Sequence, residues 1–206
     1  MSEKSLDESY YKKMEEQLKS RLSPHRFKHS VGVSEMAEQL AKVYDIDTRK
    51  ARLAGLIHDW DKAYDDNAIR ERALELNVEV NPEVFENMPR LLHGITAAAA
   101  LRKDYPEIDE DILLSIESHT SGHLEMSDLD MVIYIADVIE CSRPYPEMDT
   151  LRKMIGEVSL ETLFFKTYKQ VFSHLIEREH RIHPDTISVW NYYARRQKAH
   201  TKHENN

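Results

Sequence analysis

Histidine and aspartate stand at six positions that could hold a metal ion together: His29, the adjacent pair His58-Asp59, His93, His119 and Asp137. Taken singly, each has an ordinary reading as a surface residue or a satisfied core residue. Their settings argue for more. His29 falls in a helical pattern beside Phe27 and Val31. His58-Asp59 closes the apolar run LAGLI, so two polar groups arrive where a buried helix terminates. His119 ends LLSIES in the same way. Asp137 interrupts MVIYIADVI, where a carboxylate is costly to bury unless positive charge meets it. Neutral imidazole and carboxylate suit Fe, Mn, Co, Ni or Zn ions. The set contains no cysteine, which speaks against a structural thiolate zinc site. Adjacent His and Asp cannot face the same way from a regular helix, but at a helix end they can converge. A bound ion lowers the pKa of its water and makes hydroxide available near neutral pH.

Three cations could meet an anionic substrate at such a centre. Lys62 lies three residues beyond Asp59, and Arg26 lies one turn before His29 on the same face. Arg143 follows the Asp137 helix. Each has the alternative of being a solvated surface charge. His25, His174, His180, His200 and His203 sit in polar or tail contexts and read as surface residues. His123 follows Ser121-Gly122 in a loop.

These side chains need helices to place them. Apolar positions recur at three- and four-residue spacing, without convincing period-two alternation. The expected class is all-α. Leu6, Tyr10, Met14 and Leu18 mark an N-terminal helix within 1–22. Ser23-Pro24 reads as a cap and first turn for a helix carrying Phe27, Val31, Met36, Leu40 and Val43. Asp47 caps a third helix that runs to His58-Asp59. The polar stretch from Tyr64 to Pro89 reads as short helices and a loop. Further helices are expected from His93, from Asp109 to His119, from Ser127 or Asp128 through Glu140, and over about 159–179 and 185–197. Residues 23–145 form the expected core, 146–198 add helices packed on the same domain, and 199–206 read as a disordered tail.

Composition bounds the function. The chain has 206 residues, 41% apolar and 32% charged, with only 5 Gly and 7 Pro, which fits a globular helical domain. A formal net charge of −9 argues against nonspecific nucleic-acid binding, so a small anionic substrate must find its positive charge at the site itself. Cys141 is the only cysteine, which leaves no internal disulfide and suits a reducing compartment. The polar N-terminus lacks a signal-peptide core and no stretch reads as membrane-spanning. The expected location is the cytoplasm. Assembly as a homodimer stays open.

The order His29, His58-Asp59, Asp137 resembles the HD superfamily of metal-dependent phosphohydrolases. His93 and His119 resemble the subset that binds a second ion or turns those histidines on the substrate. The segments RFKHSVGV, GLIHDWDK, LLHGITAA, ESHTSG, YIADVIECSR and RIHPDTI are similar to the YqeK family, across nearly the whole chain after residue 23. That resemblance implies an HD-domain helical bundle and symmetrical bis(5′-nucleosyl)-tetraphosphatase activity, which splits diadenosine tetraphosphate into two ADP with iron as the favoured metal. It implies that His29, His58, Asp59 and Asp137 bind the principal ion and that Asp59 also serves catalysis. His93 and His119 would take a second ion or the phosphates. Lys62 and Arg143 would contact phosphate, and His183 and Thr186 would line the nucleotide pocket; Arg26 joins the expected phosphate contacts on its spacing to His29, and the expected catalytic residues are Asp59, Lys62, His93 and His119. Asp61, Ser121 and Cys141 depart from the family pattern, where a small residue, threonine and proline are usual. Asp61 could weaken the positive field near the phosphates.

Other functions use the same residues. An HD phosphohydrolase acting on a nucleoside monophosphate or a cyclic nucleotide needs the same metal site. A noncatalytic nucleotide sensor would keep the ligands and lack turnover. A structural metal in a helical scaffold would have a closed coordination shell.

Overall fold

Eleven helices and no strand make up the described residues of the computed structural model, which are 6–142 and 145–204. They are α1 (Glu8–Arg21), α2 (Pro24–Val43), α3 (Thr48–Ile57), α4 (Asp66–Glu75), α5 (Pro82–Asn87), α6 (His93–Asp104), α7 (Glu110–Ser118), α8 (Asp128–Ile139), α9 (Pro146–Arg152), α10 (Leu160–Glu177) and α11 (Thr186–Glu204). Short polar residues set the starts. The side chains of Asp7, Ser23, Asp47, Asp65, Asn81, Ser127 and Ser159 each accept a backbone N–H from the first turn that follows. Ser127 and Asp130 form a reciprocal capping box at the start of α8.

α8 is the centre of the molecule. Every residue from Leu129 to Ala136 is buried, so the helix is covered on all sides. α2, α7 and α10 pack around it, and α3 lies against α2, α7 and α8. The α2–α3 crossing is close because α3 presents Gly55 to it. A Cβ there would meet Ser34 Cα at 2.9 Å and the Val33 carbonyl oxygen at 3.0 Å. The Ser34 hydroxyl, inside the same crossing, donates to the Arg52 carbonyl at 2.7 Å. This approach brings the C-terminal end of α3 beside the first half of α2.

Between α3 and α6, residues Ile69, Ala73, Val84, Met88 and Leu92 form a small second cluster under α4, α5 and a 3-10 turn at Pro89–Leu91. The chain leaves α7 through Gly122, whose φ of +66° suits glycine and whose N–H returns to Ser118. Two expectations need correction. α9 was not foreseen; at seven residues it is too short to declare a period. The tail expected to be disordered from 199 instead continues α11 to Glu204, since no Gly or Pro interrupts that stretch.

Replacing Gly55 by Ala forces α2 and α3 apart. We expect Gly55→Ala to destabilise the fold by about 1–3 kcal/mol, read as a lower urea midpoint with an unchanged slope. An unaltered midpoint would mean the crossing has slack that the packing does not show.

Candidate metal centre

Four helix ends and the middle of one helix meet at a single buried point. His58 caps the end of α3, His119 caps the end of α7, His93 opens α6, Asp137 lies in the last turn of α8, and His29 comes from within α2. Asp59 sits in the turn after α3. Their ligand atoms group as His29, His58 and Asp59; as His58, His119 and Asp137; and as Asp59, His93 and His119, each set within 4.8 Å. All are buried except Asp137, which is partly open.

Three of the imidazoles are oriented by one local device. Nδ1 of His58 lies 2.7 Å from the Gly55 carbonyl, Nδ1 of His93 2.7 Å from that of Arg90, and Nδ1 of His119 2.6 Å from that of Ile116. A carbonyl only accepts, so each Nδ1 carries the proton and each Nε2 is free to face inward. Asp59 Oδ1 lies 3.0 Å from His93 Nε2, 3.6 Å from His58 Nε2 and 3.8 Å from His119 Nε2. On the other side, Asp137 Oδ1 lies 2.9 Å from His29 Nε2 and 3.8 Å from His58 Nε2.

The donor set fits a divalent metal ion. His58 Nε2 and Asp59 Oδ2 are buried without a hydrogen-bond partner. Orphaned polar atoms cost roughly 1–3 kcal/mol each, and a cation among them removes that cost. Burial, reinforced by His93 and His58, pushes the His119 pKa down to about 3, so His119 is neutral. Its Nε2 then faces His93 Nε2 at 3.0 Å, where two lone pairs repel unless a proton or cation stands between them. Burial also pushes the His58 pKa down. Burial alone would raise the Asp59 pKa, but His58, His93 and Lys62 outweigh it and keep the carboxylate ionised.

Cations gather on one side. Lys62 Nζ lies 3.1 Å from His93 Nε2 and 3.6 Å from Asp59 Oδ1. Arg26 reaches Asp59 Oδ2 at 3.7 Å and stays half exposed. Arg143 lies outside the described residues. Asp61 is turned away from the centre: its buried carboxylate accepts Arg21 at 3.1 Å and Arg72 at 2.6 Å. The expected weakening of the positive field is therefore corrected, because two guanidiniums neutralise that charge. His123 bonds Asp130 at 3.2 Å and is not part of the centre.

A cleft of about 540 Å³ opens directly on His119 and Asp137, with Gln170 and His174 of α10 and Arg178 just past its end on the far wall. Through Thr120, Tyr134 and Val171 it joins a narrower slot, about 150 Å³, lined by Tyr168, Phe172, His183 and Thr186. A wider hollow of about 640 Å³ touches no ligand of the centre. Glu140 was missed as a site residue. It contacts His29, and its position one turn after Asp137 was the available signal.

The HD domain model matches residues 26–141, more than half of the chain. The chain belongs to the HD-domain family. Over 176 residues it is 34% identical to the symmetrical bis(5′-nucleosyl)-tetraphosphatase of Staphylococcus aureus, covering 85% of this chain and 90% of that one. The Bacillus subtilis protein of the same description is 31% identical over 175 residues, covering 85% and 92%. Within the HD domains, the chain belongs to the family these bacterial proteins represent. A crystal structure from Clostridium acetobutylicum, described as a predicted HD superfamily hydrolase involved in NAD metabolism, superposes with a TM-score of 0.82 at 37% identity and covers 90% of this chain and 97% of that one.

Burial works against a charged His29, but the Asp137 and Glu140 carboxylates outweigh it and raise its pKa to about 9. In the ion-free protein this contribution to stability is complete below about pH 6.5 and is lost as pH rises through about 9. An ion bound at Nε2 must displace the proton. We expect metal affinity to rise with pH up to about 9 and then level off, with roughly one proton released per ion near neutrality. Calorimetry in buffers of different ionisation enthalpy measures that release; no release at neutral pH would contradict a protonated His29.

Proposed function

We propose that the chain hydrolyses dinucleoside polyphosphates, cutting diadenosine tetraphosphate symmetrically into two ADP, with iron as the favoured ion. The reaction takes up one water, and the bond broken is the central phosphoric anhydride. The observation that carries this reading is the cluster of buried, inward-facing Nε2 atoms and carboxylates, open to a cleft at His119 and Asp137 and approached at Asp59 by Lys62 and Arg26. Family membership supplies the substrate class, since the Staphylococcus aureus and Bacillus subtilis relatives are named for it.

His29, His58, Asp59 and Asp137 would hold the principal ion, and His93 and His119 would serve a second ion or the phosphates. Iron, manganese, cobalt, nickel and zinc all accept this nitrogen and oxygen set. A bound ion supplies Lewis acidity and a water acidified toward neutral pH. The protein's own groups do the rest. Asp59, ionised at the centre, can accept a proton or bridge two cations. Lys62 and Arg26 are each within 4 Å of Asp59 and can swing their charge onto nonbridging phosphate oxygens. Arg143, or a second ion held by His93 and His119, would offset the charge of the departing nucleoside diphosphate. His183 and Thr186 would bound the nucleoside, which sets where along the polyphosphate the cut falls.

The cleft beside Asp137 and His119 favours a working site over a structural metal, because catalytic centres keep an open side. Turnover separates an enzyme from a nucleotide sensor. A nucleoside monophosphate or cyclic nucleotide would leave the far reach of the cleft and slot unfilled.

We expect His58→Ala to lose more than about 100-fold in activity, beyond what loss of an outer-shell partner costs. Lys62→Ala should lose about 10²–10³ in kcat. Chromatography of the products from diadenosine tetraphosphate under iron, manganese and cobalt checks both the activity and the symmetry of the cut. AMP with ATP as products would overturn symmetric cleavage, and full activity of metal-stripped His58→Ala would overturn the mechanism.

A further inference from the structure

His29 differs from the other imidazoles of the centre. His58, His93 and His119 sit at helix ends and give their Nδ1 protons to carbonyls three residues back. His29 lies inside α2, where those carbonyls already serve the helix. Its Nδ1 turns instead to Glu140, at the end of α8, with Oε1 3.2 Å away. Glu140 is 1% exposed and does not line the cleft.

The carboxylate is held from several directions. The Ser142 hydroxyl donates to Oε1 at 2.6 Å and the Ser142 N–H to Oε2 at 2.7 Å. Arg152 donates to the Ile139 and Glu140 carbonyls at 2.7 and 2.8 Å, which anchors the backbone beneath it. Room for Oε2 comes from Gly32, one turn after His29. A Cβ at position 32 would stand 2.6 Å from that oxygen.

We propose that Glu140 is a positioning residue of the metal centre: it keeps the Nδ1 proton of His29, aims Nε2 at the ion and strengthens it as a donor, in space that Gly32 provides. A charged acceptor makes imidazole a better ligand than a neutral carbonyl does. Among the four imidazoles of the centre, His29 is thus the one whose outer nitrogen is held from the end of another helix. The proposal rests on the metal-binding reading above.

The test is a cobalt(II) titration of the metal-stripped full chain, followed by calorimetry and by the visible absorption of the bound ion. Glu140→Gln keeps the size and an acceptor oxygen and removes the charge. Cobalt affinity is expected to fall about 10–100-fold with a shifted absorption band. KM for the dinucleotide should stay unchanged, since Glu140 lies off the cleft. Gly32→Ala should lower the affinity likewise by displacing the carboxylate. In Glu140→Ala the added Cβ meets no carboxylate, so Gly32→Ala on that background should leave the melting temperature and the already weakened affinity as they were. Wild-type affinity and spectrum in Glu140→Gln would overturn the proposal. Should that variant not fold, Ser142→Ala decides: a loss of several-fold in affinity supports the proposal, and none overturns it. A wild-type chain that takes up no cobalt would sink the metal reading itself, a different result from equal binding by wild type and variant.

Discussion

The molecule is organised around imidazoles whose outer nitrogens are committed to backbone carbonyls and whose inner nitrogens are buried facing one another. His58, His93 and His119 each spend Nδ1 on a carbonyl three residues back, which is available only because the helix stops or has not yet begun there. α3 and α7 must therefore end, and α6 must start, at one level of the bundle. Gly55 and the covered helix α8 enforce that level through packing. Lys62 reaches the inner nitrogen of His93, but that of His58 meets no donor among the described residues, and a cation at the centre would answer it. Folding and metal binding are linked through the same atoms.

Charge around the centre is divided with the same economy of position. Asp59 and Asp137 bring negative charge to where an ion belongs. Asp61, two residues from Asp59, is held back by Arg21 and Arg72, which also tie α1 and α4 to the turn that carries Asp59. Lys62 and Arg26 instead stand within 4 Å of Asp59, at the centre itself. A chain with a net charge of −9 can thus present a local positive edge to a polyphosphate.

Much of this was legible in the sequence, for particular reasons. His58-Asp59 and His119 could be singled out because a polar residue ending an apolar helical run is unusual, and Asp137 because it interrupts one. Those features survive as linear text. The helix starts were readable because Ser23, Asp47 and Ser127 are caps with a local mechanism. What could not be read depends on who packs against whom. Asp61 looked like a misplaced charge because Arg21 and Arg72 are 40 and 11 residues away. Glu140 looked like the end of a helix because its partner His29 is 111 residues distant. The Gly55 and Gly32 contacts are likewise tertiary: a glycine shows what it permits only when the neighbour is known.

The position of the ligands along the chain separates chemistry from substrate choice. Every proposed metal ligand falls within 26–141, the stretch that the HD domain matches. The far wall of the cleft does not. Met148, Gln170, His174 and Arg178 come from α9, α10 and the turn after it, and the slot is closed by Tyr168, Phe172, His183 and Thr186. These residues pack on α8 from outside the matched region, with Tyr134 and Thr120 as the seam between the two parts. A change in α10 or in the segment before α11 can reshape the space for a nucleoside without moving an imidazole. A change at Gly55, Asp61 or Glu140 does the reverse. On the function proposed, the metal chemistry would be a property of how the helices within 26–141 meet, and the length of polyphosphate cut would be a property of what α9 to α11 place in front of it.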